Sequence, residues 1–403
     1  MNSQDRLDSW KEIASYLRRG VRTVQRWERV AGLPVRRIAS ERGAIYAFRS
    51  ELDAWWLSQG ADIRRNGVEG SDLRRAVAHA VAAELRESSP PNIENSTPAD
   101  QRSVADRSMR VREFLSHAIT IDPESALAHA NLAIYFFTLV AVGLLRPAEG
   151  MPAARAAAQR AIDLDPSMTD AHAVSAIVAG LYDGDWREAD RRFRLALEKE
   201  PVPPTVHFHY AIWYLSPLGR HAEALVHLRR GLVEDPLYLL GRVQIAVELC
   251  SLGNVDAGLT ELEHLLEIDA SFGPALGLLG REYAICGRVG EALELAKRTY
   301  AAIPRHPNAV GFLAGMLRRT GNPEQAGNLF ESFARSSAWA LPRARSESHI
   351  VCTEFEAAVA AAAAAVDQRD PGIWLLFAGT SGNMMRSSSK WPTLRGRLNV
   401  PAQ

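Results

Sequence analysis

WREADRRFRLALEKEP (186–201), RHAEALVHLRRGLVEDP (220–236) and NVDAGLTELEHLLEIDA (254–270) are versions of one segment, continued by RVGEALELAKRTYAAIP (288–304) and NPEQAGNLFESFARSSA (322–338). Their ends fall 35, 34, 34 and 34 residues apart. At equal places back from each end stand Ala189/Phe193/Ala196, Ala224/Leu228/Gly231, Gly258/Leu262/Leu265, Ala292/Ala296/Thr299 and Ala326/Phe330/Phe333. Small and apolar residues thus recur in register on one helical face. Between these segments lie other helices, with Ala246, Gly280 and Ala314 at one shared position and Leu249, Tyr283 and Leu317 three residues later. A self-similar period near 34 predicts a stack of helix pairs in which each pair buries its apolar face against its neighbours.

This pattern resembles that of tetratricopeptide repeat proteins across residues 106–338, and residues 339–371 read as a capping pair around FEAAVAAAAAAVDQRDP. The resemblance implies a right-handed α-solenoid over 106–371 of about six to seven repeats. One repeat carries extra residues near GLLRPAEGMP, where the spacing from Pro123 to Pro166 is 43. First helices line the groove of such a superhelix. Here that places His209, Trp213, Val243, Val247, Arg281 and Arg318 as candidate partner-binding positions, with packing between repeats as the competing explanation for each. The resemblance does not name the ligand.

Of the 403 residues 47% are apolar and 23% charged, which excludes a wholly disordered chain, and the 47 Lys+Arg against 47 Asp+Glu leave no global field to attract nucleic acid. Charge is local instead. Residues 11–49 carry ten Lys/Arg against three Glu, a net +7, which the other 364 residues balance. Cys250, Cys286 and Cys352 form no CxxC and predict small buried residues of a reducing compartment. The first residues lack a secretory h-region, and the longest apolar run, at 132–145, has 14 residues where a bilayer needs roughly 20. The expected location is cytoplasmic.

In the basic stretch, Ser9 caps a helix with Glu12 three residues on, and Trp10, Ile13, Ala14 and Leu17 make its apolar stripe. After Arg18-Arg19-Gly20 a second helix, VRTVQRWERV, turns Arg22, Gln25, Arg26 and Arg29 to one side. PVRRIAS and GAIYAF then read as two strands, and SELDAWWL as a helix that closes a small core with Leu52, Trp55 and Trp56. Residues 1–60 resemble the winged helix-turn-helix of excisionase and MerR-type DNA-binding proteins. That resemblance implies base reading by Arg22, Thr23, Gln25, Arg26 and Arg29 and backbone contact by the wing residues Arg36, Arg37 and Arg42. One such module buries only about 600–1,000 Å² on DNA, which gives a reason for a homodimer.

Residues 61–105 read as a linker with one amphipathic helix at 72–88, and 372–403 as a tail similar to the terminal segment of bacterial regulators that end in such repeats. The transmembrane segment many of them carry is absent. No GxxxxGK[ST], GxSxG, HExxH or kinase motif occurs, so no enzyme activity, cofactor or metal is expected. Glu261 and His264 form a lone Glu-x-x-His on a solvated face, and His207 and His209, two apart, do not share a helix face. The fold class is therefore mainly α, a winged helix-turn-helix followed by a repeat solenoid. The function this implies is DNA-binding transcriptional regulation with a protein or peptide held in the repeat groove. The alternative is a repeat adaptor whose N-terminal module touches protein and not DNA.

Overall fold

The computed structural model describes residues 6–16, 28, 33–37, 45–52, 112–113, 115–236 and 238–401, and the chain divides into two units, Met1–Asp72 and Leu73–Gln403. The described part of the first unit is a three-stranded antiparallel sheet, one helix at 10–16 and the helical residues 28 and 49–52. Strands β1 (Arg6–Leu7) and β2 (Arg36–Arg37) flank β3 (Ile45–Phe48), with Leu7 opposite Ala47 and Arg36 opposite Tyr46. Because strand side chains alternate, Ile45 and Ala47 point into a core with Leu7, Ile13, Ala14, Leu33 and Leu52. Helix α1 (Trp10–Tyr16) starts as the sequence implies: Ser9 Oγ accepts from Glu12 N at 3.1 Å, and Glu12 reaches back to Asp8 N. The β2–β3 pairing matches the two strands read from PVRRIAS and GAIYAF. Strand β1 has no counterpart in that reading, because two residues are too few to show an alternation. Leu17, the helix expected at 21–30 apart from the helical Glu28, Trp55, Trp56 and the linker lie outside the described residues.

The second unit is a succession of helix pairs. Helix α2 (Ala126–Ala141) packs on α3 (Pro147–Leu164), α4 (Thr169–Ile177) on α5 (Trp186–Glu198), α6 (Pro204–Tyr210) on α7 (His221–Glu234), and α8 (Leu239–Ser251) on α9 (Val255–Ile268). The series continues with α10 (Gly273–Ile285) on α11 (Val289–Ala302), α12 (Pro307–Arg319) on α13 (Pro323–Ser337), and α14 (Leu341–Val351) on α15 (Phe355–Asp367). Helices α4 and α6 continue as single π-turns over Val178–Asp183 and Ala211–Leu215. The apolar run at 132–145 is α2 and the turn after it. Among the described residues no helix is long and apolar enough to cross a membrane.

One backbone device sets the period. Each first helix from α4 onward ends on a left-handed residue, at Gly184, Gly219, Gly253, Gly287 and Gly321 with φ between +73° and +85°, and then at Thr353 with φ +60°. The next amide closes back on the helix, as in Asn254 N to Leu249 O at 2.9 Å, Arg288 N to Tyr283 O and Asn322 N to Leu317 O, both at 2.8 Å. This is a Schellman-type stop, which favours glycine because a Cβ is crowded in that conformation. The second helix begins two residues later, antiparallel to the first. Small residues then let the pair approach closely: a Cβ on Gly258 would lie 2.6 Å from Cys250 Sγ and 3.0 Å from Ala246 O.

The segment expected as a separate tail is part of the fold. After α15 come a 3-10 turn (Pro371–Leu376), α16 (Gly379–Arg386) and α17 (Trp391–Leu398). Trp374, Leu376, Phe377, Met385 and Leu394 share one buried core with Phe137, Trp186, Phe193 and Phe208 of the early repeats.

The same substitution should have opposite effects at two exposed glycines. Gly287 is left-handed with open space around it, so Gly287→Ala meets only backbone strain and is expected to cost roughly 1–2 kcal/mol. Gly327, inside α13 with nothing near, should gain roughly 0.5–1 kcal/mol on Gly327→Ala. Urea unfolding of the two variants checks both signs.

Candidate partner-binding surface

First helices of adjacent pairs lie side by side, and the chain's own C-terminal helices pack across them: α14 lies on α10 and α12, and α16 on α8 and α10. The candidate groove residues are therefore engaged within the chain. Val243 and Val247 are buried in the core that also holds Leu276, Phe312 and Ala378. Arg281 is buried and donates from Nη1 to Glu347 Oε2 of α14 at 3.2 Å. Arg318 donates to Ser348 Oγ at 3.3 Å and to both Glu354 oxygens at 2.9 and 3.0 Å. His209 and Trp213 stand edge-on to Phe137 of α2, with ring centroids 6.2 and 5.1 Å away, and both keep part of their surface open.

Polar groups tie this seam together. Ser251 at the end of α8 accepts at Oγ from Gly379 N at 2.7 Å and at its carbonyl from Asn383 Nδ2 at 3.0 Å. Glu248 of α8 receives His221 Nδ1 at 2.6 Å and Gln244 Nε2 at 2.7 Å, all buried. Glu282 of α10 is fully buried, and neither carboxylate oxygen makes a hydrogen bond of good geometry. Burial lifts its carboxyl above the ordinary 4.5, opposed by Thr380 of α16 and by Arg281.

At the seam's far end Arg343 of α14 is completely buried. Its Nη1 donates to Ala141 O, 202 residues away, at 2.9 Å and lies 3.3 Å from Asp370 Oδ1, which also accepts from Gly372 N at 2.9 Å. A Cβ on Gly372 would overlap that guanidinium, so only glycine fits there. Burial pushes the Asp370 carboxyl up and the Arg343 guanidinium down, each opposed by the other's charge. Burial and the same guanidinium hold His306 down at about 3, a neutral ring at physiological pH.

In the first unit, Arg36 and Arg37 are exposed on β2 and ion-paired, Arg36 to Glu51 at 2.5 Å and Arg37 to Glu28 at 2.7 Å. Arg6 lies over the Tyr46 ring and Arg36 over that of Phe48, at 4.4 and 5.4 Å. Arg22, Thr23, Gln25, Arg26, Arg29 and Arg42 lie outside the described residues.

Among the described residues no three His, Cys, Asp or Glu converge as metal ligands. Glu261 faces Arg242 and His264 faces Glu267, while His207 Nδ1 lies 3.0 Å from His227 Nδ1. Cys250 is buried, and burial pushes its thiol up to about 12. Cys286 is exposed and Cys352 half-buried, so burial of all three, expected from residue type alone, holds only for the first. Sequence reading missed Arg343, Asp370, Glu282 and Trp186 as seam residues. A buried Arg or Glu carries no periodic signature, although the aromatic content of the tail hinted at packing.

No protein-family model and no curated protein sequence matches this chain. Solved structures with similar helical-repeat folds include PilW, described as a widely conserved type IV pilus biogenesis factor, at 19% identity over 54% of this chain and 96% of that one, with a TM-score of 0.41. YrrB, a TPR protein with an unusual peptide-binding site, matches at 22% identity over 49% and 95%, with a TM-score of 0.31. Yeast Tom70 matches at 14% over 96% and 83%, with a TM-score of 0.46. These likenesses concern chain path alone. The repeat assignment rests on the helix pairs and left-handed stops described above.

Two substitutions probe the seam. Arg343→Met strands a buried Asp370 carboxylate and is expected to destabilise the chain by about 3–5 kcal/mol in urea, with Asp370→Asn added to it restoring part of the loss. Glu282→Gln should stabilise, with a pH signature. A carboxyl raised in the folded state gives its full contribution below its unfolded value and loses it as pH rises through the folded value. The advantage of the variant over the parent should be small near pH 5 and wider at pH 8.

Proposed function

We propose that this chain is a repeat adaptor that binds a partner protein through its solenoid. One observation carries the reading: the first-helix side already accepts helices, the chain's own α14 and α16, through mixed apolar and ion-paired contacts. A surface that binds helices in cis has the chemistry to bind them in trans. His209, Trp213 and Arg318 are the groove positions that keep part of their surface open, Arg318 while it is paired with Glu354. The test is photo-crosslinking from Trp213 of the full chain, followed by affinity measurement with the protein identified. Trp213→Asp should weaken that complex at least about tenfold, and Arg36→Ala with Arg37→Ala should leave it unchanged. No crosslinked partner, or one indifferent to Trp213, overturns the reading.

A second reading has its own support, the net +7 over 11–49 and the exposed Arg36 and Arg37 on an antiparallel ribbon. It makes the first unit a DNA-binding module that reads bases with Arg22, Thr23, Gln25, Arg26 and Arg29 and grips the backbone with Arg36, Arg37 and Arg42, in a regulator that brings its partner to DNA. With about five phosphates neutralised, log K should fall against log salt with a slope of roughly −4 to −5. Arg36→Ala with Arg37→Ala should flatten that slope by about 2. Anisotropy on duplex DNA at several salt concentrations checks both, and a flat profile returns the module to protein contact.

A further inference from the structure

Residues 371–400 are held in two unequal ways. Over 371–386 nearly every apolar side chain is buried, among them Ile373, Trp374, Leu376, Phe377 and Met385, and two bonds to Ser251 fix α16 to α8. Helix α17 differs. It has eight residues, too few for an isolated helix to persist in water, and buries only Leu394. Trp391 lies edge-on to Phe377 at 5.2 Å and Leu398 is half-buried. The helix packs on α15, Arg386 lies over the Trp391 ring at 5.7 Å, and the polar ties are peripheral: Asn399 Nδ2 to Gly184 O at 2.9 Å, the exposed Arg397–Asp367 pair at 3.1 Å, and a long bond of 3.5 Å from Trp186 Nε1 to Leu398 O.

Beneath α17 lies an aromatic surface. Trp186 is 5% exposed with the helix in place and stands 5.7 Å from Trp374, which in turn meets Phe377. Such a surface is unsuited to water once uncovered, and among the described residues α17 adds to the cover that Tyr214 and Trp374 give Trp186, with large apolar residues at i, i+3 and i+7 (Trp391, Leu394, Leu398). Low-stability elements of this kind open locally while the rest of the fold stays intact.

We propose that residues 391–400 are a releasable latch occupying, in cis, a docking site for a partner's amphipathic helix with the same i, i+3, i+7 apolar spacing, centred on Trp186 and Phe377. This deepens the adaptor reading, on which it rests, by naming the site and its intramolecular competitor. A second copy's latch is the poorer occupant. The four residues 387–390 between α16 and α17 span at most about 14 Å, and Ser389 is pinned by its amide and hydroxyl to Glu356 at 2.7 and 3.1 Å. Exchange between copies would have to drag α16 out of the core.

Hydrogen exchange on the full chain should show 391–399 exchanging at least about a hundredfold faster than 371–386, and equal protection overturns the proposal. A fluorescent peptide of residues 388–401 is then titrated into the full chain and its Leu394→Asp variant, with helicity checked by circular dichroism. The peptide should bind the variant at least about tenfold more tightly than the parent, a peptide bearing Leu394→Asp should bind neither, and Trp391→Ala in the full chain should give an intermediate gain. Equal affinity for parent and variant, or unfolding of both variant chains, overturns the latch. So does a dimeric parent whose 391–399 segment is protected only in the dimer. A latch that behaves as stated in a chain with no crosslinked partner would leave the cis contact standing and remove the adaptor reading instead.

Discussion

A buried guanidinium joins the two ends of the repeat unit. Arg343 hydrogen-bonds the carbonyl that ends α2 and pairs with Asp370 just ahead of the C-terminal turn, so the first helix pair, the last and the closing segment meet at one charge. Removing such a group from water costs several kcal/mol, which only near-ideal partners offset. Its partners are fixed by backbone: Ala141 by the end of a helix, Asp370 by its cap on Gly372. The pair is a specifying contact more than a stabilising one, since any other arrangement of the C-terminus would leave a charge buried alone.

Closure at Arg343 explains the character of the rest of the seam. With the C-terminal helices laid across the first helices, side chains that an open solenoid would offer to a ligand are paired within the chain, Arg281 internally with Glu347 and Arg318 at the surface with Glu354. Glu282 records the cost of that arrangement: a carboxyl buried beside Thr380 and kept toward its neutral form by its surroundings. The edge at Trp186 is closed by the short helix α17 beside Tyr214 and Trp374, so the seam is firm in the middle and weak at one margin.

The repeat fold was legible because it rests on short-range rules repeated at a fixed interval. Ala224/Leu228/Gly231 and Gly258/Leu262/Leu265 mark the second helices, and Gly253, Gly287 and Gly321 mark the stops, since left-handed backbone selects glycine. The candidate site was legible only in part. His209 and Trp213 are recognisable as groove positions from register. The partners of Arg281 and Arg318 were not, because Glu347 and Glu354 sit 66 and 36 residues further on, in a segment where the period fades.

The sequence by itself determined the helix pairs, their period, the β2–β3 strands and the uneven placement of charge, all properties of neighbouring residues or of a pattern that repeats. Tertiary structure alone decided that residues 371–400 fold back onto the repeats, that Arg343 and Asp370 meet, and that Trp186 lies beneath α17. Those outcomes depend on the small rotation between successive pairs accumulating over the whole unit. That sum brings Ala141 within hydrogen-bonding reach of Arg343, and no local pattern encodes it.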